Sequence, residues 1–242
     1  MKKDRIYISI CSRGLNNNFL ELLKCINKNY IKSNFDIRVL ITFNLSKKIN
    51  FFDKKLIKSK LKKINFKIIY EKQVGISKVR NRSLSYLKKL KFIYCCFLDD
   101  DCIIKDNYLE KHLNFIKKNK CNIVSGPQIY KSKMKFFKAF ERNFSQGEEI
   151  SWASTNNVFF KKDILKYNLI FSNKVSRYGF GEDQLFFSKL SNYGEVIKWN
   201  NNPVFEVSQK KRESLNWFIN RNYRYGLTGI LVDRELYNLF SA

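Results

Sequence analysis

Phe92-Ile93-Tyr94-Cys95-Cys96-Phe97-Leu98-Asp99-Asp100-Asp101 is an unbroken apolar run that ends in three consecutive carboxylates. Such a run, too short for a helix core and without polar alternation, reads as a strand buried on both faces. Adjacent carboxylates repel one another, and a fold keeps them at the mouth of an apolar strand mainly where a divalent cation or hydrogen-bond donors offset the charge. Oxygen ligands select a hard ion, Mg2+ or Mn2+. Taken alone, the triplet reads equally well as a solvated acidic turn.

Outward from this strand, short β-rich runs alternate with basic amphipathic segments. Ile6 to Cys11 precedes a helical 19–30, Ile37 to Phe43 precedes a Lys-rich 46–63, and Phe66 to Tyr70 precedes 76–90. This βα alternation predicts an α/β fold whose central sheet is mainly parallel and flanked by helices. Ligands of such sheets bind at the carboxyl ends of the strands, where Asp99, Asp100 and Asp101 lie. Beyond residue 120 the pattern loosens, with Ile123 to Pro127 and Asn156 to Phe160 as strand candidates. No internal repeat and no Pro- or Gly-rich linker divides the chain.

The 242 residues, 44% of them hydrophobic, suffice for one large globular domain with a small C-terminal appendage. A net charge of +26 favours phosphate-rich partners: nucleic acid, an anionic membrane surface or nucleotide-linked substrates. The abundance of Lys, Asn, Ile and Phe over Pro and Gly also fits a compositional bias that inflates Lys everywhere, and that account takes the larger share. Cys11, Cys25, Cys95, Cys96, Cys102 and Cys121 form no C-x-x-C pair, which suits a reduced, cytoplasmic protein. Ile6 to Cys11 is followed by Ser12-Arg13-Gly14 and not by a cleavage site, and no stretch of 18 apolar residues occurs, so membrane contact is expected to be peripheral.

Two further segments carry chemistry. In Gly75-Ile76-Ser77-Lys78-Val79-Arg80-Asn81-Arg82, apolar residues at helical spacing follow a helix-start signal, so a phosphate could be drawn to the helix N-terminus beside Arg80 and Arg82. An ordinary solvated basic face is the plainer alternative. Tyr178-Gly179-Phe180-Gly181-Glu182-Asp183 sets two carboxylates at the start of a helical Gln184 to Leu190. They read as helix capping, or as a general base with raised basicity beside an acidic neighbour.

Together with Ile10-Cys11-Ser12-Arg13, these segments resemble, in order and over nearly the whole chain, the family 2 glycosyltransferases of the GT-A (Rossmann-like) fold. Gly75 to Arg82 is similar to that family's Gly-[IV]-Ser-x-x-Arg-Asn segment, Asp99-Asp100-Asp101 to its Asp-x-Asp element, and Gly181-Glu182-Asp183 to its Gly-Glu-Asp motif. Ser154-Thr155-Asn156-Asn157-Val158 is similar to its acceptor-side strand. Pro203 to Val207, followed by Arg212, Trp217, Arg221, Tyr223, Arg224 and Gly226, is similar to the closing segment of one bacterial branch.

The resemblance implies a single domain over 1–242, with a nucleotide-sugar-binding half at 1–101, an acceptor and catalytic half at 102–210 and a C-terminal helical segment at 211–242. It implies inverting, metal-dependent transfer from a nucleotide-diphosphate sugar, UDP-linked foremost, to a glycan or lipid-linked hydroxyl in cell-surface polysaccharide synthesis. Asp183 is the implied general base, with Glu182 beside it. Ser12, Arg13, Asn44, Arg80, Asp99 and Asp100 are implied donor-binding residues, and Asn156 and Trp152 are the implied acceptor side. Asp101 is the implied ligand of Mn2+ or Mg2+, with either Glu206 as a second protein ligand or phosphates and water completing the site. Arg221 or Arg224 are further candidates for phosphate.

Two departures stand out. Asn44 follows the second strand where the family commonly has an Asp that reads the base. The only histidine, His112, lies in a helical stretch away from the C-terminal position where many relatives carry a metal ligand, and is expected to be a surface or packing residue. Lys131 to Phe144 interleaves lysines with aromatics, which suits either an interfacial helix on an anionic bilayer at the cytoplasmic face or a helix packed beside the acceptor cleft. A basic nucleic-acid-binding protein is the alternative that the charge suggests, but the lysines are spread along the chain and the aromatics sit in apolar runs, so no nucleic acid is expected. A nucleotidyltransferase would want a Gly-rich loop where Asn16-Asn17-Asn18 stands.

Overall fold

The computed structural model describes residues 4–31, 35–132, 135–207 and 212–237. Strands and helices alternate at first: β1 (Arg5–Ser12), α1 (Asn17–Ile31), β2 (Asp36–Phe43), α2 (Phe51–Leu61), β3 (Asn65–Tyr70), α3 (Ile76–Lys88) and β4 (Tyr94–Asp99). The four strands lie side by side in the order β3-β2-β1-β4, all parallel. Residues along them face alternately the two sides of the sheet, and both sides are apolar. Ile6, Ile8 and Ile10 pack with Phe19, Leu22, Leu23 and Ile26 of α1, while Tyr7, Leu40 and Phe97 pack with Leu84 and Leu87 of α3. The i, i+3, i+4, i+7 spacing on α1 makes one fully buried stripe, each side chain contributing roughly 1.5–3 kcal/mol of burial.

The second half runs β5 (Cys102–Ile104), α4 (Tyr108–Lys118), β6 (Ile123–Ser125), β7 (Gln128–Lys131), β8 (Val158–Lys161), α5 (Asn173–Ser176), α6 (Glu182–Asn192), β9 (Ile197–Trp199), β10 (Val204–Val207) and α7 (Leu215–Tyr237). β8 adds to β4 antiparallel, and β6 and β9 complete a seven-stranded, mostly parallel sheet. A separate three-stranded sheet, β5-β10-β7, was not foreseen, because its strands have only three or four residues and no distinctive period.

One expectation needs correction. Lys131 to Phe144 is not an α-helix: β7 ends at Lys131 and a 3-10 turn spans Lys135–Phe140. Lys133 and Met134 lie outside the described residues. Phe136 packs on Phe218 (5.0 Å between ring centroids), and Phe140 on Trp217, Phe218 and Tyr225 of α7. Of the two readings of this stretch, packing inside the protein describes these two rings. Of the two readings of His112, surface or packing, the second holds: it is fully buried. Its ring stacks on Phe159, meets Tyr108 edge-on and places Nδ1 3.2 Å from Asn200 Nδ2. Burial pushes its pKa down to about 3, so it sits in the core as neutral imidazole.

Candidate active site

The carboxyl ends of β1 and β4, the central strand β10 of the small sheet and the start of α6 line one cleft of about 590 Å³. Its wall carries six carboxylates, Asp99, Asp100, Asp101, Glu182, Asp183 and Glu206, and four arginines, Arg13, Arg80, Arg212 and Arg221.

Strand register places the first cluster. Cys11 pairs with Asp99, so Ser12, the last residue of β1, stands beside Asp100, and its hydroxyl donates to Asp100 Oδ2 at 2.5 Å. Burial pushes the Asp100 carboxyl above its ordinary range, and the Ser12 bond opposes that. Glu206 pairs with Cys102 across β10 and β5, which brings its carboxylate beside Asp101. Burial, then the charge of Glu206, pushes Asp101 up to about 8; Glu206 is also raised by burial. Arg212 Nη1 lies 2.5 Å from Glu206 Oε1 and 3.7 Å from Asp101 Oδ2. Gln128 Nε2 donates to Glu206 Oε2, and its own Oε1 accepts from Asn156 Nδ2.

Arg80 departs from the solvated-face reading of α3. It is only 7% exposed, with Nη2 3.1 Å from Asp99 Oδ1 and Nη1 bonded to Glu182 Oε1, while Arg82 is exposed. Burial pushes Glu182 up to about 7 against the attraction of Arg80, and Glu182 Oε2 has no hydrogen-bond partner.

Gly181 sets the start of α6. Its φ of +83° is left-handed, and a Cβ there would meet Thr228 Cγ2 of α7 at 2.6 Å, so no other residue type fits. The tight packing holds Asp183 on the cleft wall, half-buried, where Oδ1 accepts from Gln184 N at 2.9 Å and Oδ2 from Thr155 N at 3.3 Å. Asp183 is not the N-cap residue, which is Gly181; it lies in the first turn of α6, where its carboxylate accepts a backbone N–H and also faces the cleft.

The remaining candidates are distributed around this centre. Arg13 is exposed on the rim. Asn44 lines the cleft with its amide engaged: Nδ2 donates to Glu71 O and Gln73 O, and Oδ1 accepts from Gly75 N. It shapes the loop that starts α3. Asn156 is 8% exposed and its Oδ1 has no partner. Trp152 lies under the guanidinium of Arg142, 3.7 Å from the ring centroid, and its carbonyl accepts from Arg142 Nη2 at 3.1 Å.

Sequence reasoning missed Gln128, Arg142 and Tyr225. Gln128 is a neutral amide on a short strand, and Arg142 is one cation among many, so neither gives a local signal. Arg221, named only as a phosphate candidate, sits within about 5 Å of the ring centres of Phe140, Phe180, Trp217 and Tyr225 and donates to the Tyr225 hydroxyl at 2.7 Å.

The donor set at the end of β4 is all oxygen, which fits a hard cation, and burial raises the neighbouring Asp101 and Glu206 carboxyls. Among the described residues no group of three or more His, Cys, Asp or Glu is arranged to hold a metal ion alone. Two carboxylates completed by substrate phosphates and water match the way Mg2+ and Mn2+ are commonly bound.

A profile of the family described as Glycosyl transferase family 2 matches residues 16–182, more than half of the chain. Solved structures similar to this one include S. aureus TarS 1-349 (17% identity, TM-score 0.62, covering 95% of this chain and 65% of that one) and the same fragment in complex with UDP-GlcNAc (14%, 0.64, 98% and 71%). Mannosyltransferase PcManGT from Pyrobaculum calidifontis, in complex with GDP-Man and Mn2+, is also similar (13%, 0.69, 97% and 65%). The chain thus spans about two thirds of these molecules, and 39% of the longer TarS chain. At these identities the likeness shows the fold, GT-A. A search of curated sequences finds no match.

Proposed function

The chain belongs to glycosyl transferase family 2, and from that premise we propose that it transfers a sugar, with inversion at the anomeric carbon, from a nucleotide-diphosphate sugar to an acceptor hydroxyl. The observation that carries this reading is that Asp99, Asp100 and Asp101 on one wall and Asp183 on the other line the same cleft. Charge-neutralising and proton-accepting groups are thereby set around one space large enough for a nucleotide sugar. The similar structures hold UDP-GlcNAc, or GDP-Man with Mn2+, which supports a UDP- or GDP-linked donor here.

Asp183 accepts the proton of the acceptor hydroxyl as that oxygen attacks the anomeric carbon opposite the leaving diphosphate. Its own two hydrogen bonds from Thr155 N and Gln184 N fix the carboxylate for that task. Asp99 and Asp100 orient the nucleoside and sugar hydroxyls. Arg80 pairs with both Asp99 and Glu182, so Arg80 and Glu182 act by holding Asp99 and the site in shape. Asn156 and Trp152 form the acceptor side. Asp101 and Glu206 would hold Mg2+ or Mn2+, which when bound neutralises charge on the leaving diphosphate.

A glycan or lipid-linked acceptor in surface-polysaccharide synthesis, met at the cytoplasmic face of a membrane, completes the proposal. Among the described residues no helix is long and apolar enough to cross a membrane. Peripheral contact is supported by α7, whose Leu215, Ile219, Tyr223, Ile230 and Tyr237 recur on one face and are each more than half exposed, on a chain of net charge +26.

Thermal stabilisation by a panel of nucleotide sugars, with and without Mn2+, tests the function. A metal-dependent rise with one UDP- or GDP-sugar is expected. No rise with any of them, together with salt-sensitive binding to RNA, would replace it by a nucleic-acid-binding role.

A further inference from the structure

Arg212 lies just ahead of α7, and its guanidinium sits between the two carboxylates assigned to the metal. We infer that Arg212 is the chain's own counter-cation for Asp101 and Glu206, and that a divalent ion and Arg212 compete for the same pair. The inference rests on the function proposed above and concerns the state before any ligand binds.

The geometry is specific. One nitrogen, Nη1, approaches both Glu206 Oε1 (2.5 Å) and Asp101 Oδ2 (3.7 Å), and these carboxylates keep only 7% and 15% of their side-chain surface exposed. Two carboxylates so close and so desolvated need a cation, and in this state Arg212 supplies it. A divalent ion bound to the same oxygens would stand at contact distance from a like charge, which is strongly repulsive in a partly buried site. Arg212 must therefore withdraw as the ion enters.

Glu206 does not depend on Arg212 for its position. Its other oxygen is held by Gln128, which is in turn held by Asn156, so the carboxylate stays in place when the arginine leaves. Arg212 itself is 31% exposed and precedes the helix start at Leu215, which gives it room to turn within the cleft it lines. The freed guanidinium offers a planar fork of donors suited to diphosphate oxygens. Metal and nucleoside diphosphate are then coupled: the ion releases the arginine, and the diphosphate captures it.

Mn2+ titration in the absence of nucleotide, read by the electron paramagnetic resonance of free Mn2+, tests the exchange on wild type, R212Q and R212A. Both variants are expected to bind Mn2+ at least about fivefold more tightly than wild type. The enhancement of UDP or GDP binding by Mg2+ is expected to be smaller in the variants than in wild type. Equal Mn2+ affinity in wild type and folded variants overturns the inference while leaving the enzyme class intact. Absence of Mn2+ and nucleotide binding in all three proteins overturns the proposed function itself. Should both variants misfold, Mg2+ titration of wild type followed by arginine side-chain NMR decides: the Arg212 Nε–H resonance is expected to move while that of Arg80 does not, and no movement overturns the exchange.

Discussion

Arg80 and Glu182, 102 residues apart in sequence, form an ion pair whose side chains are 8% and 3% exposed. The pair ties α3 to the start of α6 across the cleft. Breaking a buried pair leaves an uncompensated buried charge, whereas removing both partners leaves only Asp99, the second and partly exposed partner of Arg80, without its cation. Arg80→Met is therefore expected to cost roughly 3–5 kcal/mol of stability. Arg80→Met combined with Glu182→Leu should recover a large part of that loss. Chemical denaturation of the three proteins checks this, and a double variant no more stable than the single one would refute the coupling.

Asp183→Asn keeps a hydrogen-bond acceptor for Thr155 N or Gln184 N and removes the proton acceptor. Donor affinity by calorimetry should stay within about twofold, while turnover falls by about 10²–10⁴. Undiminished turnover would remove Asp183 from the role of base.

Stability should depend on pH through Asp101. Its folded pKa, about 8, lies above the ordinary value of 3.8, so between those values the folded chain binds more protons than the unfolded one. The favourable contribution of this proton is complete at low pH and is lost as pH rises through 8. Melting temperature should therefore fall between pH 6 and pH 8 more steeply in wild type than in Asp101→Asn. Mn2+ should flatten the wild-type slope. A difference of about 1 kcal/mol corresponds to ~2–4 °C in a chain of this size.

His112 should remain neutral across the physiological range, because burial lowers its pKa to about 3. The protein has one histidine, so its NMR spectrum should show one pair of imidazole C–H signals that does not shift between pH 8 and pH 5. A depressed pKa means that unfolding takes up a proton, so its contribution to stability is present above about 6.5 and fades as pH falls below that value.

The exposed face of α7 should carry membrane affinity. Ile219→Glu with Ile230→Glu replaces two side chains that are 57% and 65% exposed, so the melting temperature should change little. Co-sedimentation with vesicles containing phosphatidylglycerol should drop several-fold. Unchanged sedimentation would place the contact elsewhere.

The family and the parallel half of the sheet were legible in the chain. The runs Ile6–Cys11, Ile37–Phe43 and Phe66–Tyr70 became β1, β2 and β3 within two residues. A period of two or 3.6 is a local property, and buried parallel strands write it as continuous apolar stretches. The carboxylates at the end of β4 were legible for the same reason, since charge after such a stretch contradicts its burial.

Tertiary structure alone decided the partners. Arg80 reads in sequence as one more cation on a basic helix, and only folding brings it against Asp99 and Glu182. Asn44 has the position of a base-reading residue but spends its amide on its own loop. Gln128 and Glu206 come from segments that share no pattern and meet through the pairing of β7 with β10, and Arg212, just beyond β10, folds back onto Glu206. The sequence determined which segments are strands and helices, because those preferences act over a few residues. The pairing of polar and charged side chains across 78 to 102 residues depends on which faces pack and what burial does to the groups left there, and that is settled only when the whole chain is folded.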